Sequence, residues 1–439
     1  MSASQKIDFV VQPGGKLSGR VRVPGDKSIS HRSVMFGSLA EGTTHVTGLL
    51  EGEDVLCTLA AFRAMGVRAQ GPDNGRLVIE GVGVRGLTAP TRPLDMGNSG
   101  TAMRLMAGIL AGQSFDSELF GDDSLSKRPM KRVSDPLGKM GAEIETADGG
   151  RPPLRIKGGR NLHGINYPLP VPSAQVKSCV LLAGLYADGE TVVTEPAPTR
   201  DHTERMLRGF GYDVQVSGAT ARLRGGGRLR ACHVDVPADI SSAAFFLVGA
   251  SIAPGSDLVL EHVGMNPTRV GVINILRLMG AELEVTSQRE VGGEPVADIR
   301  VRSARLRGIH IPEDQVPLAI DEFPALFIAA ACAEGETILS GAEELRVKES
   351  DRIAVMAQGL KRLGAGVRET PDGIVIQGGR IHGGEIESQG DHRIAMSFAM
   401  AALRAEGAIT IRDAKNVDTS FPGFANLAAG AGLGIRVSI

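Results

Sequence analysis

The sequence predicts an α/β protein of two domains, assembled from six copies of one βαβ-like unit with three copies in each half. Three observations lead there. One pattern of helix end, Gly and alternating strand recurs in "FRAMGVRAQ", "LGKMGAEIE", "LRGFGYDVQV", "LRLMGAELEV" and "LKRLGAGVRE", and "LAAGAGLGIRV" closes the chain with a sixth. A second pattern interleaves with it in "LAEGTTHVTG", "LAGQSFDSEL", "YADGETVVTE", "IAPGSDLVLE", "CAEGETILSG" and "RAEGAITIRD". Its glycines, from Gly42 to Gly407, recur at roughly 65 to 80 residues, longer than a solenoid period and suited to small α/β subdomains. Finally, "VRVPGDKSISHRSVMFGSLA" (21–40) and "VDVPADISSAAFFLVGASIA" (234–253) share V-x-V-P-x-D and a following helix of small residues. At 439 residues the chain also exceeds the size at which single cores stop growing.

The internal match divides the six units. The break falls near residues 236–242, giving an N-terminal domain over 21–241 and a second domain over 242–439. Residues 1–20 join the second domain, because the match at Val21 marks where the first begins.

Each unit opens with a helix whose start is polar: "DKSISHR" (26–32), "GNSGTAMR" (97–104), "PSAQVKS" (172–178), "ADISS" (238–242), "DEFPA" (321–325) and "GDHRIA" (390–395). Asp, Asn and Ser at such places accept bonds from unpaired first-turn N–H groups, so capping alone accounts for them. It does not account for Lys27, Arg32, Arg104, Lys177 and Arg393, which cluster in or near the same turns. A helix N-terminus carries about half a positive charge, and a cation beside it is unfavourable by roughly some tenths of a kcal/mol. A bound anion removes the conflict, because N–H groups and side-chain cations then converge on it. The first of these starts is not a nucleotide loop: a Walker loop needs Gly before its Lys and Gly five residues earlier, and here those positions hold Asp26 and Val21.

Between the units, "SLSKRPMKR" (124–132) and "TRDHTE" (199–204) place Arg128 and Arg200 in turns, and "LRVKESDRI" (345–353) sets Lys348 and Arg352 four apart around Glu349. On a helix that pair shares one face. Two carboxylates, Asp321 and Glu349, sit among these cations. Asp321 opens the apolar helix "FPALFIAAACA" and has the N-cap role as its plain alternative. A carboxylate among cations stays ionised and accepts a proton, whereas one whose pKa burial raises delivers one. His392 is a further proton carrier or a structural histidine.

Composition excludes other classes. Net charge is −2, with 48 Lys and Arg spread along the chain, 4% aromatic residues and no Trp, which argues against a nucleic-acid platform. Cys57, Cys179, Cys232 and Cys332 lie far apart with no metal-ligand spacing, so they read as buried free thiols of a reducing cytosol. "MSASQKIDFVVQPGG" has no basic segment followed by an apolar one, and no stretch approaches the ~18 apolar residues of a membrane span. The expectation is a cytoplasmic monomer that binds neither membrane nor nucleic acid.

The motifs "PGDKSISHR", "GNSGTAMR", "SAQVKS", "IDEFP", "RVKESDR" and "DHRIAMSF" resemble, in order and over nearly the full chain, the 5-enolpyruvylshikimate-3-phosphate synthases. "TRDHTE" and "MNPTR" look closest to the divergent bacterial branch with herbicide-tolerant members. The resemblance implies two domains, each of three βαβαββ units arranged as an inside-out barrel, with the active site in the cleft between them and closure on binding. It implies transfer of the enolpyruvyl group of phosphoenolpyruvate to the 5-hydroxyl of shikimate 3-phosphate through a tetrahedral intermediate, with no metal or cofactor. By position, Lys27, Ser28, Arg32, Ser173, Ala174, Gln175, Arg200, Asp321 and Lys348 look like the shikimate 3-phosphate site. Lys27, Asn98, Gly100, Thr101, Arg128, Gln175, Glu349, Arg352 and Arg393 look like the phosphoenolpyruvate site. Asp321 takes the hydroxyl proton and Glu349 protonates the methylene carbon, with role exchange among Lys27, Asp321 and Glu349 left open.

Two departures stand out. Where many relatives carry Lys in the segment aligned with "VDTSFP", this chain has Thr419, so Lys415 or another residue supplies that phosphate contact or none does. Gly100 leaves backbone space where tolerant relatives have Ala, so glyphosate is expected to compete with phosphoenolpyruvate. The alternatives are a UDP-N-acetylglucosamine enolpyruvyl transferase, whose Lys-Asn pair and loop Cys are replaced here by Lys27-Ser28 and the Cys-free "SLSKRPM", and an inactive anion-binding relative.

Overall fold

A computed structural model describes residues 7–438; residues 1–6, part of the segment expected to join the second domain, lie outside the described residues. The chain forms two compact units. The N unit is Gly25–Val236 with Val291–Glu294; the C unit holds the residues up to Pro24, Pro237–Glu290 and Pro295 onward. Each has its own continuous apolar core.

Six helices belong to the N unit: α1 (Lys27–Leu39), α2 (Glu53–Ala64), α3 (Gly100–Ala111), α4 (Lys131–Lys139), α5 (Ala174–Gly184) and α6 (His202–Gly209). They alternate with three small sheets. In each sheet a short strand runs parallel to the strand after the first helix, and an antiparallel hairpin completes it. The parallel pairs are His233–Asp235 with Ala40–Thr47, Leu94–Asp95 with Ser117–Phe120, and Asn166–Pro168 with Glu190–Thr194.

The C unit repeats this plan with α7 (Ile240–Ile252), α8 (Gly271–Leu278), α9 (Phe323–Ala331), α10 (Arg352–Arg362), α11 (His392–Ala401) and α12 (Phe424–Ala431). Its first and third sheets borrow strands from the start of the chain. Ser18–Val21 lies parallel to Asp257–Leu260, and Asp8–Val11 pairs antiparallel with both 409–411 and 435–438.

The first helix of every repeat is interior. In the N unit α3 packs on α5 and touches α1; in the C unit α7, α9 and α11 pack on one another. Every residue of α7 and α9 is buried, as expected of helices that are apolar on all sides. Contact between α3 and α5 is close enough that a Cβ on Gly108 would stand 2.3 Å from the Cys179 carbonyl oxygen, so only Gly fits there. The helix–Gly–strand repeat has a backbone cause as well: Gly66, Gly141, Gly211, Gly280, Gly364 and Gly432 all take positive φ just past a helix end.

Candidate active site

In the N unit the starts of α1, α3 and α5 meet. Asp26 caps α1 by accepting from Ile29 N at 2.9 Å, Ser99 caps α3 at Ala102 N, and Ser173 caps α5 at Val176 N. Side chains tie the starts together. Gln175 donates to Thr101 Oγ1 at 2.9 Å and accepts from Arg104, which joins α5 to α3. His31 lies between Thr58 Oγ1 at 2.8 Å and Ser99 Oγ at 3.4 Å. Burial, and then repulsion by Lys27 and Arg32, hold the His31 pKa well below the usual histidine range, with Asp26 opposing, so the ring is neutral.

The cations differ in what holds them. Lys27 pairs with the buried Asp54 of α2. Arg32 is 4% exposed and donates to Thr203 Oγ1, Ser28 O and Ser178 Oγ at 2.7, 2.9 and 2.8 Å. Lys177, grouped above with the anion-seeking cations, is instead buried between Glu195 and Glu204 at 3.1 and 2.8 Å. Arg128 has no carboxylate partner among the described residues. It donates to Asn98 Oδ1 at 2.7 Å and to Ser124 Oγ at 3.3 Å, and its Nε is buried without a bond. Beside it the Cα of Gly100 is bare: a Cβ there would lie 3.1 Å from Arg128 Nη1 and 3.4 Å from Arg104 Nη1. Asn98, Gly100, Thr101, Arg104, Arg128 and Gln175 thus form one cluster, rich in donors, at two helix mouths. Ser28 and Ala174 are half-buried at the starts of α1 and α5, and Arg200 is half-buried ahead of α6.

In the C unit the chemistry gathers around one guanidinium. The Arg352 side chain is 1% exposed and opens α10, which Asp351 caps at Ala354 N. Its Nε donates to Asp391 Oδ2 at 2.9 Å, Nη2 to Glu349 Oε2 at 2.6 Å, and Nη1 to Asp321 Oδ1 at 3.4 Å. Burial alone would pull the Arg352 pKa down, but Asp391, Glu349 and Asp321 outweigh it and raise it. Burial pushes the Asp391 carboxyl up, yet Arg352 prevails and leaves it below its usual range. Lys348 Nζ reaches the same Asp321 oxygen at 3.6 Å.

Two readings of this region change. Lys348 and Arg352 do not share a helix: Glu343–Val347 is a 3₁₀ turn, Lys348 is extended, and α10 begins at Arg352, so loop geometry brings both to Asp321. Asp321 is not an N-cap, because Glu322 holds that position and no side chain caps α9. From sequence Asp391 reads only as the cap of "GDHRIA", not as the partner of Arg352, and Ser350, whose Oγ donates to Asp391 at 3.0 Å, is not singled out. The signal was present, since Asp391 stands two residues before Arg393 at a helix start and accepts from its N–H at 3.0 Å.

Arg393 has no carboxylate partner among the described residues. His392 is 6% exposed at the start of α11. Thr419 is 8% exposed and its Oγ1 donates to Asn416 O at 2.7 Å, while Lys415 is exposed at the head of the same turn. Among the described residues no group of three His, Cys, Asp or Glu side chains is placed to hold a metal ion, and no helix is long and apolar enough to cross a membrane.

Comparison with known proteins settles the family. Residues 11–427 match the family model described as EPSP synthase (3-phosphoshikimate 1-carboxyvinyltransferase). The 3-phosphoshikimate 1-carboxyvinyltransferase of Nitrosococcus oceani is 66% identical over 428 residues, covering 98% of this chain and 96% of that one. The chain belongs to the EPSP synthase family. The enzyme of the same name from Methylococcus capsulatus is also 66% identical, over 98% of this chain and 99% of its own. A solved EPSP synthase from Acinetobacter baumannii superposes with a TM-score of 0.90 at 61% identity, covering 99% of this chain and 100% of that one. The fold is accordingly the EPSP synthase fold, a two-domain inside-out α/β architecture in which the six repeats described above are βαβαββ units.

Proposed function

We propose that this chain transfers the enolpyruvyl group of phosphoenolpyruvate to the 5-hydroxyl of shikimate 3-phosphate, giving 5-enolpyruvylshikimate 3-phosphate and phosphate in the shikimate pathway of aromatic amino acid biosynthesis. The observation that carries this is the 66% identity to 3-phosphoshikimate 1-carboxyvinyltransferases over 98% of the chain.

The residue roles are our reading of the two clusters. Cations without carboxylate partners, Arg128 and Arg393, bind the anionic groups of phosphoenolpyruvate, and Asn98, Gly100, Thr101, Gln175 and Arg352 are assigned to the same substrate. Lys27, Ser28, Arg32, Ser173, Ala174, Gln175, Arg200 and Lys348 take shikimate 3-phosphate. Asp321 accepts the 5-hydroxyl proton as the oxygen bonds to C2 of phosphoenolpyruvate, and Glu349 gives its proton to the methylene carbon. In the second step the new methyl group returns a proton, the double bond reforms and the C2–O bond to phosphate breaks. Glu349 is held for the protonation step by Arg352, whose Nη2 donates to its Oε2 at 2.6 Å. Orientation of the two reactants and fixed charge around the departing phosphate supply the remaining acceleration.

Glyphosate competes with phosphoenolpyruvate in this reading, because Gly100 adds no side chain beside Arg128. The chain acts as a cytoplasmic monomer: its exposed large apolar residues, among them Leu56, Phe120, Val216 and Leu278, lie on different elements, and its four cysteines are unpaired. Phosphate release from phosphoenolpyruvate tests the central reading. Release that depends on shikimate 3-phosphate is expected; release with UDP-N-acetylglucosamine as acceptor, or none with either, overturns it.

A further inference from the structure

The N unit contains a buried ionic cluster that the proposed chemistry does not use. Lys177, on the first turn of α5, has a side chain 3% exposed; its Nζ lies 3.1 Å from Glu195 Oε1 and 2.8 Å from Glu204 Oε1, whose side chains are 10% and 2% exposed. Burying three charges is costly, and apolar residues of the same volume would stabilise the fold at least as well. The cluster therefore calls for a role other than stability.

Its geometry supplies one. Glu195 follows the strand Glu190–Thr194 and opens a loop, Glu195–Arg200, that has no regular structure and contains Pro196 and Pro198. Both oxygens of Glu195 turn back onto this loop: Oε1 accepts from Thr199 N at 3.3 Å and Oε2 from Thr199 Oγ1 at 2.5 Å. The next residue is Arg200. On the other side, Glu204 faces the network in which Arg32 and Thr203 both donate to Ser178 Oγ, at 2.8 and 2.7 Å. Burial is the largest influence on Arg32 and pulls its pKa down to about 10, with Glu204 and Asp26 opposing and Arg200 adding to the fall. Arg32, Arg200 and Glu204 therefore share one electrostatic neighbourhood.

We propose that Lys177, Glu195 and Glu204 are positioning residues that clamp the Glu195–Arg200 loop through Thr199 and so fix the Arg200 guanidinium where it meets shikimate 3-phosphate. This rests on the reading of Arg200 as a ligand of that substrate. Lys177 orients Glu195, Glu195 holds Thr199, and the two prolines limit the loop's alternatives. Without the clamp the loop keeps its sequence and its cation but not a single position for it, so affinity for the acceptor falls while the donor site is untouched.

The test is the set Thr199→Val, Arg200→Ala and the double variant, with Lys177→Met as a deeper cut of the same clamp, measured as KM for each substrate in phosphate release and as melting temperature. Thr199→Val removes one hydroxyl from a half-buried site and keeps the side-chain shape. We expect Thr199→Val to raise KM for shikimate 3-phosphate about tenfold with KM for phosphoenolpyruvate unchanged, and to lower the melting temperature by only a few degrees, as for one hydrogen bond lost to a carboxylate. Arg200→Ala should raise the same KM, and the double variant should be no worse than Arg200→Ala. An unchanged acceptor KM in Thr199→Val, an equal rise in both KM values, or additive effects in the double variant overturns the clamp. Wild-type protein that releases no phosphate with shikimate 3-phosphate overturns the reaction itself, a result separate from any of these.

Discussion

Removing Arg352 should be costly to the C unit, and pH reveals why. Arg352→Met keeps much of the side-chain volume and leaves three carboxylates facing one another. Asp391 has a side chain 0% exposed and Asp321 and Glu349 15% and 27%, so the latter two can recover water and Asp391 cannot. Breaking a buried ion pair by deleting one partner costs about 3–5 kcal/mol, a large share of the roughly 5–15 kcal/mol that holds a domain together. In the wild type the Asp391 pKa is depressed, so its contribution is present above the unfolded carboxylate value, about 3.9, and is lost only as pH falls through the lower folded value. In the variant the opposing burial is left alone, the folded pKa rises above 3.9, and stability increases as pH falls from 7 toward 4. The gap between the two proteins should therefore be about 3–5 kcal/mol at pH 7 and shrink steadily to pH 5. Urea unfolding followed by far-ultraviolet circular dichroism at pH 7, 6 and 5 measures it. A gap under about 1 kcal/mol at pH 7, or one that widens on acidification, refutes the assignment of Arg352 as the counter-ion of Asp391.

Gly100→Ala places a methyl group 3.1 Å from Arg128 Nη1, which must shift by a few tenths of an ångström; KM for phosphoenolpyruvate should rise about tenfold and glyphosate inhibition weaken, while KM for shikimate 3-phosphate stays put. A rise in the acceptor KM alone would show that Gly100 faces the other substrate. Asp321→Asn and Glu349→Gln should each lower kcat by about 10²–10⁴ with smaller changes in substrate affinity, read by single-turnover phosphate release; activity within threefold of wild type removes that residue from proton transfer. His31 stays neutral when folded and titrates near 6.5 when unfolded, so below that pH the unfolded chain binds the extra proton and stability falls by up to about 1.4 kcal/mol per pH unit. His31→Gln should flatten the acid arm of the stability curve between pH 6.5 and 5 by that slope, and an unchanged arm would mean the ring is already charged in the fold.

The repeat was legible because backbone conformation writes itself into sequence: a positive φ past a helix end nearly demands Gly, and six such glycines mark six units. The helix mouths were legible for a similar reason, since Asp26, Ser99, Ser173, Asp239 and Asp391 each accept from a first-turn N–H. Partners brought together by tertiary packing were not. Lys27, Arg128 and Lys177 look alike as cations at or near turns, and only the fold gives Asp54 to the first, Asn98 to the second and two glutamates to the third. The Arg269 cluster was equally hidden: its guanidinium meets Asp239 at 3.1 Å and Glu322 at 3.7 Å, joining the start of α7 to the residue beside Asp321. "MNPTR" pointed to that arginine only through family resemblance.

The exception among the caps says most about function. Five interior helices satisfy their first turns with an Asp or Ser side chain, and α9 does not, although Asp321 stands immediately before its capping position. A cap contributes about 1 kcal/mol, so leaving it unmade is a cost, and the carboxylate that could have made it turns instead to Lys348 and Arg352. The two units also divide the charge. Around Asp321 the carboxylates Asp321, Glu349 and Asp391 outnumber the cations Arg352 and Lys348, whereas the N-unit cluster offers Arg128 and Arg104 with donor groups and helix starts. A fold that gains little stability from either arrangement gathers its partly exposed carboxylates with Arg352 and Lys348 in one unit and its carboxylate-free donor cluster in the other. That division suits a reaction whose substrates are anions and whose difficult steps are proton transfers.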